Sequence, residues 1–173
     1  VERERVFTAY LKRIGAYLAP QFSTFDFNEE RFEMEASVII PVRNRVKTVV
    51  DAMRSVLSQK CSFPFNLIVV DNHSTDGTTE AIASLAKQDN RVVHVIPERG
   101  DLGIGGCWNE GVNHPKCGKF AIQLDSDDVY SDENTIRKVV EAFYAQKCAM
   151  VIGSYAITNF KMETIPPGVI DHK

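Results

Sequence analysis

No apolar run in this 173-residue chain approaches the roughly 20 residues that would cross a bilayer. The charged start Val1-Glu2-Arg3-Glu4-Arg5 is not followed by a secretory apolar segment, so the chain is expected to be cytoplasmic, with no transmembrane segment. Basic excess is lacking too. A net charge of -3 leaves no electrostatic footprint for nucleic acid or anionic lipid, and any phosphate ligand would need local compensation. Cysteine is sparse, and Cys61, Cys107, Cys117 and Cys148 are too far apart for a C-x-x-C pair or a disulfide framework. They read as reduced thiols. A zinc site from Cys107, His114 and Cys117 matches no common ligand spacing. Low-complexity segments and internal repeats are also missing, which leaves one ordinary globular domain large enough for a substantial core.

What is present is alternation. Residues 2 to 18 carry Val6, Phe7, Tyr10, Leu11, Ile14, Tyr17 and Leu18 at helical spacing, with Pro20 as the expected stop and a connector over 21 to 34. From Ala36 onward, short apolar strands exchange with amphipathic helices. Ser37 to Ile40, Asn66 to Val70, Val92 to Ile96, Phe120 to Leu124 and Met150 to Gly153 read as strands, and Pro166-Pro167-Gly168 reads as a turn. Helical faces fall on Val49 to Leu57, Ala81 to Ala86 and 133 to 147, and the segment Gly100 to Gly111 reads as a loop entering a short helix. This order predicts an α/β fold, a mostly parallel sheet with helices on both faces. In such sheets ligands bind beyond the carboxyl ends of the strands. Three of those ends are polar here: Pro41 to Asn44, Asp71 and Asn72, and Asp125 to Asp128.

Asp125-Ser126-Asp127-Asp128 carries the strongest signal. Crowded carboxylates repel, and a hard divalent cation with oxygen ligands would compensate them; a solvated turn capping the next helix is the competing account. Asp71 likewise reads either as a turn acceptor or as a ligand acceptor. The glycines at 100, 103, 105, 106 and 111 permit positive φ and close backbone approach, so a helix N-terminus there could meet a diphosphate. Neither a P-loop nor a dinucleotide fingerprint is present.

Taken in order, Ser37-Val38-Ile39-Ile40-Pro41-Val42-Arg43-Asn44, Ile68-Val69-Val70-Asp71-Asn72-His73-Ser74-Thr75-Asp76-Gly77-Thr78 and Leu124-Asp125-Ser126-Asp127-Asp128 resemble the successive signatures of family 2 glycosyltransferases, which have the Rossmann-like GT-A fold. The resemblance covers about residues 36 to 155. It implies metal-dependent, inverting transfer of a sugar from a nucleoside-diphosphate sugar to the hydroxyl of a carbohydrate or lipid-linked acceptor. It further implies donor contacts from Pro41, Val42, Asn44, Asp71, Asn72, Gly103, Asn109, Asp125 and Ser126, with Asp127 as ligand to Mn2+ or Mg2+ and Asp71 accepting from a pyrimidine imide. The sequence departs from the family's pattern at Arg43, where an aromatic is usual, at Asn72, often a second acid, and at Trp108, commonly Arg.

The resemblance divides the chain into a helix and connector over 1 to 35 and a nucleotide-sugar-binding domain over 36 to 173. That domain is expected to be truncated on its acceptor-binding side, with the general base beyond residue 173. Among late groups only Glu163, Asp171 and His172 could otherwise serve. Two alternatives stand beside this reading: a sugar-phosphate nucleotidylyltransferase, disfavoured by Val42-Arg43-Asn44-Arg45 where a Gly-rich loop is normal, and a non-catalytic binding module of the same fold.

Overall fold

The computed structural model describes residues 2–19, 21 and 32–171. The first helix, α1 (Glu2–Arg13), is shorter than its apolar periodicity suggests. Gly15, at φ 70°, ends it in a Schellman turn: Ala16 N–H donates to Leu11 O at 2.9 Å and Gly15 N–H to Lys12 O at 3.3 Å. The expected stop at Pro20 is therefore superseded by an earlier glycine. Val6, Phe7, Tyr10 and Ile14 on its apolar face are exposed, and the helix buries no residue. The connector lies mostly outside the described residues.

The α/β unit follows as β1 (Ala36–Val42), α2 (Val49–Leu57), β2 (Phe65–Asp71), α3 (Thr78–Gln88), β3 (Val92–Val95), α4 (Gly103–Val112), β4 (Phe120–Gln123) and α5 (Thr135–Gln146). The strands form one parallel sheet in the order β3-β2-β1-β4. Every residue of β1 and β2 is buried, which is why their sequences read as continuous apolar runs. Side-chain alternation still sorts them. Val38, Ile40, Leu67 and Val69 face the helices α2, α3 and α5, whereas Ile39, Ile68 and Val70 face α4 through Cys107. Gly111 lets α4 lie close on the sheet, since a Cβ there would meet Ile39 Cγ2 at 2.5 Å.

The chain leaves β1 toward β2 and β3 on one side, then returns to place β4 on the other. Pairing with β4 ends at Ile39, whereas pairing with β2 continues through Pro41↔Val70 and Val42↔Asp71. Pro41, which has no N–H to donate, thus lies where β1 has only one neighbour. Beyond Ile39 a crevice opens between diverging connections. This is the topological switch point of the sheet.

The C-terminal part differs from the sequence expectation. Met150 to Gly153 is not a strand; β5 is Tyr155–Thr158 and pairs antiparallel with β6 (Thr164–Ile170) in a separate two-stranded sheet. The turn lies at Asn159 to Glu163, where Asn159 Oδ1 accepts from Lys161 N–H at 2.9 Å and Glu163 N–H at 3.1 Å, and Met162 takes a positive φ of 63°. Pro166-Pro167, read as a turn, lies inside β6 across a cis peptide, a position open to proline because a two-stranded sheet has free edges.

Candidate functional site

Two stretches of backbone meet at the carboxyl rim, and side-chain oxygens stitch them together. Asn44, at φ 54°, accepts Thr75 N–H on its Oδ1 at 2.8 Å and donates its own N–H to Ser74 Oγ at 2.9 Å. Arg45 N–H donates to Thr78 Oγ1 at 2.8 Å and Val46 N–H to Asp76 Oδ2 at 3.2 Å. The hydrogen bond from the Thr78 hydroxyl holds the Asp76 carboxyl below its ordinary pKa. The Ser74 to Thr78 segment is thus a scaffold for the exit of β1.

Asp71 belongs to the same scaffold. Its side chain is fully buried; Oδ1 accepts Ser74 N–H at 3.0 Å, Oδ2 accepts the Thr79 hydroxyl, and His94 Nε2 lies 3.7 Å from Oδ2. Among the residues that line the cavity at the rim, Asp71 is not included. The next residue does line it. Asn72, a residue only 5% exposed, donates its backbone N–H to Val42 O at 2.8 Å, yet its side-chain Oδ1 is buried without a partner.

The cavity holds about 380 Å³ at the switch point, lined by Pro41, Val42, Asn72, Gly103 and Ser126 among the expected residues. Arg43, Arg45, Asp101 and Cys107 complete its polar and sulfur lining, and the sequence had not marked them as site residues. Arg43 and Arg45 supply the local compensation that an anionic ligand requires. Their signal was available in the sequence as two cations flanking Asn44 at a strand end. Gly103, at φ 60°, opens α4 toward this space, and a Cβ built on it or on Gly105 would meet nothing within 4 Å. Asn109 is exposed and lies outside the lining. A larger hollow of about 500 Å³ sits by Glu35, Phe63 and Tyr144, beside the opposite ends of the strands, where the architecture does not build sites.

The acidic turn borders the cavity through Ser126. Asp125 is half-buried and accepts from Gln123 Nε2 at 3.2 Å, whereas Asp127 is exposed, with Arg45 Nε 3.9 Å from its Oδ2. Burial, then the charges of Asp125 and Asp127, raise the pKa of Asp128. This is the repulsion the sequence anticipated. Among the described residues no three His, Cys, Asp or Glu side chains converge on one point, so Cys107, His114 and Cys117 form no zinc cage. A cation at Asp127 would need ligands from outside the protein, and the oxygen-only character of the turn fits Mn2+ or Mg2+ completed by phosphate oxygens and water. Glu163 accepts from Asn159 Nδ2 at 2.8 Å and Asp171 from the Ser154 hydroxyl at 2.9 Å, so both hold the β5–β6 hairpin. His172 lies outside the described residues.

Together, the parallel sheet, its switch-point cavity and the acidic turn define an α/β domain of the GT-A type. Residues 37–168 match the model of glycosyl transferase family 2, and the chain belongs to that family. The glycosyltransferase GlyG of Streptococcus pneumoniae is 31% identical over 119 residues, 69% of this chain and 38% of its own length. The GalNAc(5)-diNAcBac-PP-undecaprenol beta-1,3-glucosyltransferase of Campylobacter jejuni is 32% identical over 92 residues, 53% of this chain and 29% of its own. Among solved structures, Staphylococcus aureus TarS residues 1–349 in complex with UDP-GlcNAc superposes with a TM-score of 0.56 at 27% identity, covering 65% of this chain and 32% of that fragment. The chain spans well under half the length of these relatives.

Proposed function

We propose that the chain binds a nucleoside-diphosphate sugar in the switch-point cavity, with Mn2+ or Mg2+ at Asp127, and takes part in inverting transfer of the sugar to an acceptor hydroxyl. The observation that carries this reading is the convergence of Pro41, Val42, Asn72, Gly103 and Ser126 on one cavity beside the acidic turn. Arg43 and Arg45 favour the diphosphate there, because guanidinium groups bind phosphate oxygens in paired hydrogen bonds. The open N-terminus of α4 at Gly103 adds unpaired backbone N–H groups. When bound, the cation would offset charge developing on the departing diphosphate. Asp125 and Ser126 position the ribose side of the donor, and Asp128 supports the turn.

TarS, crystallised with UDP-GlcNAc, supports a nucleotide-sugar donor, and the Campylobacter relative, named for an undecaprenol-linked substrate, supports a carbohydrate or lipid-linked acceptor. No described helix is long and apolar enough to cross a membrane. Four free cysteines favour a reducing, cytoplasmic setting.

Calorimetric titration of the 173-residue chain with nucleoside diphosphates, with and without Mn2+, tests the reading. Metal-dependent binding that disappears in Asp127→Ala, with an unchanged melting temperature, is the expected result. Binding equally strong in that variant would remove Asp127 from the metal site.

A further inference from the structure

The acidic turn is held at its two ends more than along its length. Before it, Leu124 N–H donates to Ile39 O at 3.2 Å, and within it Asp128 N–H closes on Asp125 O at 3.1 Å. Asp127 is exposed, and its one ion pair among the described residues is the loose contact with Arg45. After the turn, the chain is tied to the end of α2. Gln59, a buried residue just past that helix, engages its whole carboxamide: Nε2 donates to Asp132 O at 2.6 Å and to Ser55 O at 3.2 Å, and Oε1 accepts the N–H of Ile136, in the first turn of α5, at 3.1 Å. Lys60 N–H donates to Glu133 O at 2.7 Å, and Tyr130 N–H to Ser55 Oγ at 3.3 Å.

Resting on the metal-dependent donor reading above, we propose that Gln59 is a positioning residue for the metal: by pinning the segment after Asp128 to α2, it sets where the Asp127 carboxylate stands beside the cavity. Two carbonyl oxygens and one N–H meet the Gln59 head, so the group must donate twice and accept once. A carboxamide does this and a carboxylate cannot, since it only accepts and would set its charge against Asp132 O and Ser55 O. Among the described residues no three His, Cys, Asp or Glu side chains converge, so the protein has little else with which to hold the cation if Asp127 is displaced. Losing a hydrogen bond that supports a metal ligand from behind costs about 10–100-fold in affinity. Gln59 is not among the residues that line the cavity, so nucleotide contacts made without metal do not depend on it directly.

The test compares the native chain with Gln59→Glu, which keeps the shape and loses the donor, at about pH 8 and well below the melting temperature. Mn2+ affinity in the presence of UDP is read by electron paramagnetic resonance, and UDP affinity in EDTA by calorimetry. Gln59→Glu is expected to bind Mn2+ tenfold or more weakly and UDP in EDTA within about threefold of native. The direction discriminates, because an added negative charge would by itself attract the cation. A purely structural role would lower the melting temperature and leave Mn2+ affinity unchanged. That result, or an equal loss of UDP with and without Mn2+, would overturn the assignment while leaving donor binding intact. Failure of the native chain to bind UDP in Mn2+ would overturn both readings. Should Gln59→Glu not fold, Ser55→Ala, which removes the side-chain tie to Tyr130, decides: Mn2+ affinity weakened threefold or more supports the pin, and native affinity removes it.

Discussion

Asn44 and Thr75 are joined by a side-chain-to-backbone hydrogen bond of 2.8 Å between the exits of two adjacent strands. Asn44 holds this position at φ 54°, a conformation that asparagine tolerates better than most residues. Replacing it by alanine should remove the bond, about 1 kcal/mol, and add roughly another 1 kcal/mol of left-handed strain. Asn44→Gly should lose only the first. The expected order of melting temperature is native, then glycine, then alanine, with steps of about 2–4 °C read by thermal unfolding. Equal melting for the two variants would mean that the backbone there relaxes without strain.

Close approach of α4 to β1 leads to a second expectation. A methyl at Gly111 would lie 2.5 Å from Ile39 Cγ2, deep under the sheet. Gly111→Ala should destabilise the domain by about 1–3 kcal/mol, as overpacked cores do. In an Ile39→Ala background, which lacks that Cγ2, the added methyl should cost less, so the double-mutant cycle should recover part of the loss in urea denaturation. No recovery would show that the helix shifts as a body.

Raised pKa at Asp128 fixes the sign of a pH effect. The folded state binds this proton more tightly than the unfolded chain, so stability falls as pH rises from the ordinary carboxylate value through the folded one. Asp128→Asn should flatten that limb of the stability curve, and Mn2+ should weaken it by cancelling the charges of Asp125 and Asp127. Melting temperatures from pH 3 to 7, with and without Mn2+, measure both. An unaltered slope in the variant would place the cost elsewhere.

Arg45 competes for Asp127. The pair is exposed at 3.9 Å, worth about 0.2–1 kcal/mol, so Arg45→Ala should tighten Mn2+ binding without nucleotide by at most about fivefold. With nucleotide present the same change should weaken binding, because it removes the phosphate contact proposed for Arg45. Mn2+ affinity by electron paramagnetic resonance and nucleotide affinity by calorimetry separate the two effects. Weaker Mn2+ binding in the free variant would refute competition.

Most of the sheet could be read directly from the chain. Buried parallel strands must be apolar on both faces, so Val38-Ile39-Ile40 and Leu67-Ile68-Val69-Val70 announce themselves, and polar residues just beyond them mark the rim. The β5–β6 hairpin was not legible. Its turn depends on the side chain of Asn159, and Pro166-Pro167 enters a strand only because that strand has a free edge.

Sequence alone determined which residues arrive at the rim, because strand ends are set by local pattern. Tertiary structure decided what each one does there. Asp71 and Asn72 are adjacent and both polar, and nothing in their order says which faces inward. Pairing of β2 with β1 carries Asp71 into the scaffold, where Ser74, Thr79 and His94 surround its carboxylate, and leaves Asn72 lining the cavity with its Oδ1 buried and without a partner. Arg43 and Arg45 became cavity residues for a similar reason: β4 parts from β1 after Ile39, and only that divergence opens the space they line.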